Sequence, residues 1–270
     1  MTLGMDGACW TIGGATVIGA AHRRRDLANQ DAIGWSPPDG GRSFVAAVSD
    51  GHGAAPHFRS DIGSKLAIRA AVAVLEWCLA DDTSDATIAG LPTQIVQAWQ
   101  NAVQEDAGLS VPAGDWIEPK ADKLLAYGAT LVATAITPAL AIAFQIGDGD
   151  LYWGFADGRI SRPLPDDLGL VGEQTYSLCA PDAPVRGRLV VLRAETDADL
   201  PCFAMLTTDG VSKSFADIAA FEQVVRHYRQ ALGATSPATV LDRLPGWLEA
   251  VSAGGSGDDA TLCLAIRQPA

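Results

Sequence analysis

The order in which strand-like and helix-like segments follow one another most constrains this fold. Short apolar runs typical of strands open the chain, helical patterns follow at residues 62–79 and 93–106, further strands come next, and two amphipathic segments precede a last strand. Parallel α/β folds alternate strand and helix instead. The grouped order therefore predicts an α+β fold with largely antiparallel sheets. Because no repeat or linker interrupts it, we expect one domain over residues 1–270.

Local signals make some segments more specific. Residues 9–22 have the pattern of two short strands joined by a hairpin turn at Gly13-Gly14, followed by a basic loop. Residues 161–187 are rich in proline, aspartate and glycine, which predicts a long loop. Pro245 is expected to bend a helix over residues 239–251.

Charge and cysteine content exclude several classes of function. The chain has 19 basic and 32 acidic residues, a formal net charge of −13. General affinity for nucleic acid or anionic lipid needs a basic surface, so we expect neither as a partner. The five cysteines are far apart and form no CxxC pair, which argues against a zinc site or a disulfide framework and favours a reducing cytoplasm. No secretory signal or membrane-spanning run is recognisable, so the predicted location is cytoplasmic.

Aspartates stand at or beside the ends of five apolar runs, usually next to glycine. They are Asp31, Asp50, Asp148, Asp209 and Asp258. A strand end holds a carboxylate rigidly, and glycine lets a backbone carbonyl approach a ligand closely. Converging carboxylates repel one another unless a cation lies between them, and oxygen ligands favour magnesium or manganese. Asp-Gly is also a common turn sequence, and Asp157-Gly158 is expected to be only a turn.

Six motifs resemble those of the protein phosphatase 2C family, the metal-dependent PPM serine/threonine phosphatases, and they occur in the family's order from about Thr16 to Ile266. They are NQDA at 29–32, SDGHG at 49–53, GATLVATAI at 128–136, QIGDGDLY at 145–152, LTTDG at 206–210 and GDDATL at 257–262. Each motif alone is weak, but six in order are specific. The resemblance implies a four-layer αββα sandwich of two antiparallel sheets flanked by helices, with the metals in a cleft at one edge of the sheets.

The resemblance also implies a set of metal ligands. Two divalent ions, magnesium or manganese, would be bridged by Asp50. The Gly51 carbonyl would bind one ion, and Asp209 and Asp258 the other. Asp31 would hold waters bound to the metals.

A third ion is implied as well, because Asp148 together with Asp209 would resemble the third metal site of bacterial members. In the implied reaction, water between the two metals attacks the phosphoryl group in line, and His52 donates a proton to the leaving oxygen. Gln30 replaces the glutamate that many members have. The expected substrate is a phosphorylated protein, and a cognate serine/threonine kinase is a candidate partner.

The chain departs from the family where phosphate is bound. Asp26 occupies the position of the usual phosphate-binding arginine, so Arg25 or Arg23 is expected to take that role, with Arg24 facing the other way. Asp259 stands where asparagine is more common and could compete with Asp258 as a metal ligand.

Two other functions remain open from the sequence. The chain could be a non-catalytic member of the family that binds a phosphoprotein or a kinase as a scaffold, although none of the core metal aspartates is lost. It could also be a structural calcium-binding protein, which the absence of EF-hand spacing disfavours. Among the remaining residues, His22 is expected to be a polar residue at a strand end or one that supports the site residues from behind. Trp77 and Trp99 are expected in the core.

Overall fold

A computed structural model describes residues 9–110, 123–165, 175–194, 196 and 199–268. The strands in these ranges are β1 (Cys9–Val17), β2 (Ala32–Ser36), β3 (Phe44–Ser49), β4 (Leu131–Ile136), β5 (Leu140–Ile146), β6 (Asp150–Gly154), β7 (Ile160–Ser161), β8 (Arg188–Arg193), β9 (Phe203–Thr207) and β10 (Ala260–Gln268). The helices are α1 (Ala20–Arg24), α2 (Ser60–Asp81), α3 (Asp85–Ala89), α4 (Leu91–Ser110), α5 (Lys123–Ala126), α6 (Ala183–Arg186), α7 (Asp209–Ser212), α8 (Ile218–Ala234), α9 (Pro237–Leu241) and α10 (Leu244–Gly254).

The strands form two five-stranded sheets in which every pairing is antiparallel. Sheet I has the order β1-β10-β9-β6-β7, and sheet II has the order β2-β3-β4-β5-β8. The α+β fold class with antiparallel sheets is thus confirmed.

Three apolar clusters define the layers. The central cluster lies between the sheets and includes Trp10 and Leu206 of sheet I and Phe44 and Val132 of sheet II. A second cluster packs α2 and α4 on the outer face of sheet II, and a third packs α8, α9 and α10 on the outer face of sheet I. This is the αββα sandwich that the resemblance implies. In the described residues, no helix combines the length and apolar character needed to cross a membrane.

The hairpin predicted at Gly13-Gly14 is wrong. Both glycines lie inside β1, which pairs with β10 along its whole length. A Cβ atom on Gly13 would lie 2.6 Å from Leu241 Cδ1, and one on Gly14 would lie 2.4 Å from Ile33 Cδ1. The glycines are therefore needed because neighbouring side chains from the flanking layers come so close to the strand.

Other local expectations are also corrected. The basic stretch after β1 begins with the helix α1 instead of being a loop throughout. Pro245 does not bend a helix but stands in the first turn of α10, where its missing N–H costs nothing. Trp99 is fully buried as expected, whereas Trp77 is 50 % exposed. The predicted loop at 161–187 contains the short helix α6, and its residues 166–174 lie outside the described ranges.

Candidate metal centre

The strand registers bring the acidic motifs to one end of the sandwich. In sheet II, Ala32 pairs with Ser49, so the residues next to them, Asp31 and Asp50, lie side by side. In sheet I, Thr207 pairs with both Asp150 and Leu262, which places the starts of β6 and β10 beside the end of β9. Aspartates far apart in the sequence therefore converge, because antiparallel pairing places the end of one strand beside the start of its neighbour.

These residues surround a cleft of about 690 Å³. Four aspartates line it, one directly after β3, one from the β5–β6 turn, one at the start of α7 and one shortly before β10: Asp50, Asp148, Asp209 and Asp258. Gly51, His22, His52, His57 and Lys213 also line it. The cleft thus collects every metal ligand implied by the resemblance, and Asp31 lies behind its wall.

The pKa of Asp50 reflects both its burial and the carboxylates around it. Burial raises the pKa of Asp50 well above its usual value, and the neighbouring carboxylates of Asp31, Asp209 and Asp258 raise it further. A divalent cation would relieve this repulsion, since an opposite charge favours the ionised form. The electrostatics of the cleft therefore fit a cation.

Asp31 is buried between the two sheets. One carboxylate oxygen, Oδ2, accepts hydrogen bonds from the hydroxyl groups of Thr208 and Thr261, each at 2.7 Å. The other oxygen, Oδ1, is buried and has no hydrogen-bond partner among the described residues. Burial raises the pKa of Asp31, and Asp259 and Asp209 add to the increase. An acceptor left open beside Asp50 is consistent with the water-holding role predicted for Asp31.

Asp258 and Asp259 have different environments. The Asp259 side chain is only 3 % exposed and accepts hydrogen bonds from the backbone N–H groups of Gly19 and Gln30, at 2.6 and 2.7 Å. The Asp258 side chain is 50 % exposed and faces the cleft, with His22 Nε2 3.4 Å from its Oδ1. The arrangement favours Asp258 over Asp259 as the metal ligand, because Asp259 is already used to anchor the loops before α1 and β2.

Gly51 is held where only glycine fits. Its N–H donates to the Gln30 carbonyl at 3.1 Å, and a Cβ atom would lie 2.6 Å from the Ser60 carbonyl oxygen and 2.7 Å from that of Gln30. The backbone can therefore pass close to the cleft at this point, as a carbonyl ligand requires.

His52 lies in the cleft against a second histidine. Its ring centroid is 4.8 Å from that of His57, and the Leu125 carbonyl oxygen accepts a hydrogen bond from Nδ1 of His57. Gly128 makes room for the pair, since a Cβ atom there would lie 2.4 Å from His57 Nδ1. Burial, with a contribution from His57, lowers the pKa of His52 to about 4. The ring is therefore neutral at pH 7 in the metal-free site.

Lys213, to which no sequence motif points, bonds two of the cleft aspartates. Its Nζ lies 3.1 Å from Asp148 Oδ2 and donates a hydrogen bond to Asp209 Oδ2. Burial lowers the pKa of Lys213, but the two carboxylates more than offset this, so the net change is upward. The spacing of four residues between Asp209 and Lys213 was the available sequence signal, because residues so spaced meet on one helical face.

The arginine run lies away from the cleft. Residues 23–28 are exposed, and Arg23 forms an ion pair with Glu249 of α10 at 2.9 Å. Neither Arg23 nor Arg25 is among the residues that line the cleft. The arrangement thus does not bring the predicted phosphate-binding arginines to the aspartates, and their role stays a prediction.

The cleft supplies oxygen donors of the kind that divalent cations bind. Asp50, Asp209, Asp258 and the Gly51 carbonyl supply the hard oxygen atoms that magnesium and manganese prefer. Within the described ranges, no three His, Cys, Asp or Glu side chains lie together in an arrangement that could hold a metal ion as it stands.

Comparison with known proteins gives the family. A sequence profile described as Protein phosphatase 2C matches residues 18–249, most of the chain. The chain belongs to the protein phosphatase 2C family. As a member it is a phosphoprotein phosphatase. The match ends before the last motif at 257–262, which the structure nevertheless places in the cleft through Asp258.

Solved phosphatase structures share the fold of this family member at low sequence identity. A bacterial serine phosphatase carrying a single arginine-to-alanine mutation superposes with a TM-score of 0.62 at 15% identity, covering 97% of this chain and 100% of its own. The catalytic domain of the serine/threonine phosphatase PstP, in complex with two manganese ions, gives 0.58 at 19% identity with the same coverage. PppA, a regulatory component of the type VI secretion system in Pseudomonas aeruginosa, gives 0.53 at 20% identity, also with the same coverage. A search of curated proteins found no match.

Proposed function

We propose that this protein hydrolyses phosphoserine and phosphothreonine in proteins, using two divalent cations, magnesium or manganese, bound in the cleft. The observation that carries the proposal is the convergence of four aspartates from both sheets, with charge that calls for a cation. The two manganese ions in the PstP structure agree with this choice of metal. We further propose that one domain over residues 1–270 carries the activity and that it acts in the cytoplasm.

Each ligand has a defined place in this proposal. Asp50, Asp209, Asp258 and the Gly51 carbonyl would together hold the two cations. Bound divalent cations lower the pKa of coordinated water and stabilise negative charge on a phosphoryl group in transfer. Asp31, with its open Oδ1, would orient water at the wall of the cleft.

His52 is the proposed proton donor to the leaving serine or threonine oxygen. Its ring lies in the cleft that the aspartates line and packs against His57. Because its pKa in the metal-free site is about 4, this role requires that the negative phosphoryl group raise the pKa of the ring on binding. The substrate would be a phosphorylated protein, and the proposed partner is the kinase that phosphorylates it.

The decisive experiment compares hydrolysis of a phosphoserine peptide and of an aryl phosphate with manganese added and with excess chelator. We expect activity with manganese and none with chelator. Full activity in chelator would overturn the metal mechanism. Metal binding without any hydrolysis would instead favour the non-catalytic scaffold.

A further inference from the structure

A lysine occupies the place between two of the cleft aspartates. The ammonium of Lys213 contacts Oδ2 of Asp148 and Oδ2 of Asp209. The other oxygen of Asp148, Oδ1, accepts a hydrogen bond from the Thr175 hydroxyl at 3.0 Å. Both oxygens of Asp148 are therefore engaged by groups of this chain.

The backbone holds Lys213 in this position. It directly follows α7, and its N–H donates to the carbonyl oxygen of Asp209 at 2.8 Å. The residue is thus fixed to the same helical turn as one of its partners. Its side chain is 53 % exposed, and it lines both the aspartate cleft and a smaller pocket of about 280 Å³ that Phe215 and Ile218 also line.

We propose that the Lys213 ammonium takes the position that would otherwise hold a third metal ion, so that this phosphatase operates with two divalent cations and one cation of its own. The inference rests on the proposed function, because it concerns ions in the same cleft. Asp148 and Asp209 are the pair to which the resemblance assigns a third ion, and both are bound to one ammonium group. A divalent ion between them would have to displace that group, since two cations cannot share these oxygens without strong repulsion.

An ammonium group in place of a third metal ion changes what this part of the cleft can do chemically. An ammonium group carries one positive charge and donates hydrogen bonds, but it has no open coordination position for water. Lys213 can hold Asp148 and Asp209 together without making a further activated water. Lys213 is therefore a positioning residue for Asp209.

The test counts Mn²⁺ ions bound per chain, by calorimetry and by electron paramagnetic resonance of the free ion. The purified full chain is compared with Lys213→Ala, which opens the site, and with Lys213→Arg, which keeps a positive charge. Lys65→Ala is the matched control, since Lys65 also pairs with an aspartate four residues earlier, Asp61, but lies on α2. Thermal unfolding in chelator verifies that each variant is folded.

We expect two ions in the wild type, in Lys213→Arg and in Lys65→Ala, and a third, weaker ion in Lys213→Ala. That third ion should disappear again in the double variant Lys213→Ala, Asp148→Asn. Three ions in the wild type would overturn the proposal, and so would two ions in both the wild type and Lys213→Ala. Absence of any Mn²⁺ binding by the wild type would instead refute the proposed metal mechanism, so the two failures are distinguishable.

Discussion

At the scale of single residues, Asp50 and Asp209 have the greatest predicted effect on activity. We expect Asp50→Asn or Asp209→Asn to lower kcat by orders of magnitude and to weaken Mn²⁺ binding, because each removes a charged ligand. The fold should survive, since Asp50 lies among other carboxylates whose repulsion the change relieves. Calorimetry with Mn²⁺ and kcat on a phosphopeptide measure both effects.

Asp157→Asn is the control for these two variants. Asp157 also precedes a glycine, but it lies in an exposed turn, where its Oδ1 accepts a hydrogen bond from the Arg159 N–H at 2.8 Å. Its substitution should change neither kcat nor metal affinity. Unchanged Mn²⁺ affinity in Asp50→Asn would contradict its assignment as a ligand.

His52 can be tested through the leaving group. A serine alkoxide needs a proton to leave, whereas an aryl phenolate leaves readily without one. We therefore expect His52→Gln to slow a phosphoserine peptide by about 10²–10⁴-fold and an aryl phosphate much less. His227→Gln, on α8, is a control remote from the aspartates. Equal losses on both substrates would assign His52 to organising the metal site instead of donating a proton.

The residues that sequence reasoning found and missed differ in the type of signal. The strand-end aspartates were recognisable because each lies at the end of a buried run, and all but Asp31 have a glycine beside them. Lys213 was missed because a lysine four residues after an aspartate is ordinary on any helix. Only the fold shows that Asp148 reaches the same ammonium, since that contact joins residues 65 positions apart.

At the scale of secondary-structure elements, long apolar segments were predictable from the sequence, whereas the roles of individual glycine and proline residues were not. The apolar runs that became β3 and β5 are buried along their whole length, and α8 has a clear amphipathic pattern. Gly13-Gly14 and Pro245 were misread because glycine and proline have more than one structural use. The first pair makes room for Leu241 and Ile33, and the proline begins α10. Tertiary packing decides between these uses, and local sequence does not contain it.

The short helix α1 and the residue after it give a prediction about substrate binding. The sequence assigns phosphate binding to Arg25 or Arg23, but Arg23 is paired with Glu249. We therefore expect Arg25→Ala to raise KM for a phosphopeptide more than Arg23→Ala, with Arg24→Ala having the least effect. Measuring KM for the three single variants tests this order. If none changes KM, the arginine run is a solvated surface and phosphate is bound by groups inside the cleft.

At the scale of the whole molecule, the fold was easier to predict than the site. Many residues together determine the order of the layers, whereas a few side chains determine the site. Two sheets with a shared apolar core, each covered by helices, follow from the grouped order of strands and helices. The same architecture brings aspartates from both sheets to one end. The ionisation of these aspartates therefore affects the free energy of unfolding of the whole chain.

This link gives a prediction for stability against pH in the absence of metal. The folded pKa values of Asp31 and Asp50 are raised above the ordinary value of 3.8, in each case mainly by burial. The folded state then binds protons more tightly than the unfolded state. The stability that this provides is complete below the ordinary pKa and is lost as the pH rises through the raised one. A tenfold difference in proton affinity between the two states corresponds to about 1.4 kcal/mol for each group.

We expect the denaturant midpoint of the protein in chelator to increase as the pH is lowered from above the raised pKa values of Asp31 and Asp50 toward the ordinary value of 3.8. Added Mn²⁺ should raise stability most at pH 8, because a cation that binds only the folded state competes there with few protons. A net charge of −13 also favours the folded state on acidification, so Asp50→Asn is the necessary comparison. That variant keeps nearly all of the repulsion among the chain's negative charges but lacks one carboxyl group with a raised pKa. Its denaturant midpoint should therefore depend less steeply on pH. If the wild type in chelator loses stability over this range instead, the cleft carboxylates are already neutralised within the folded chain, and the charge argument for a cation there would be refuted.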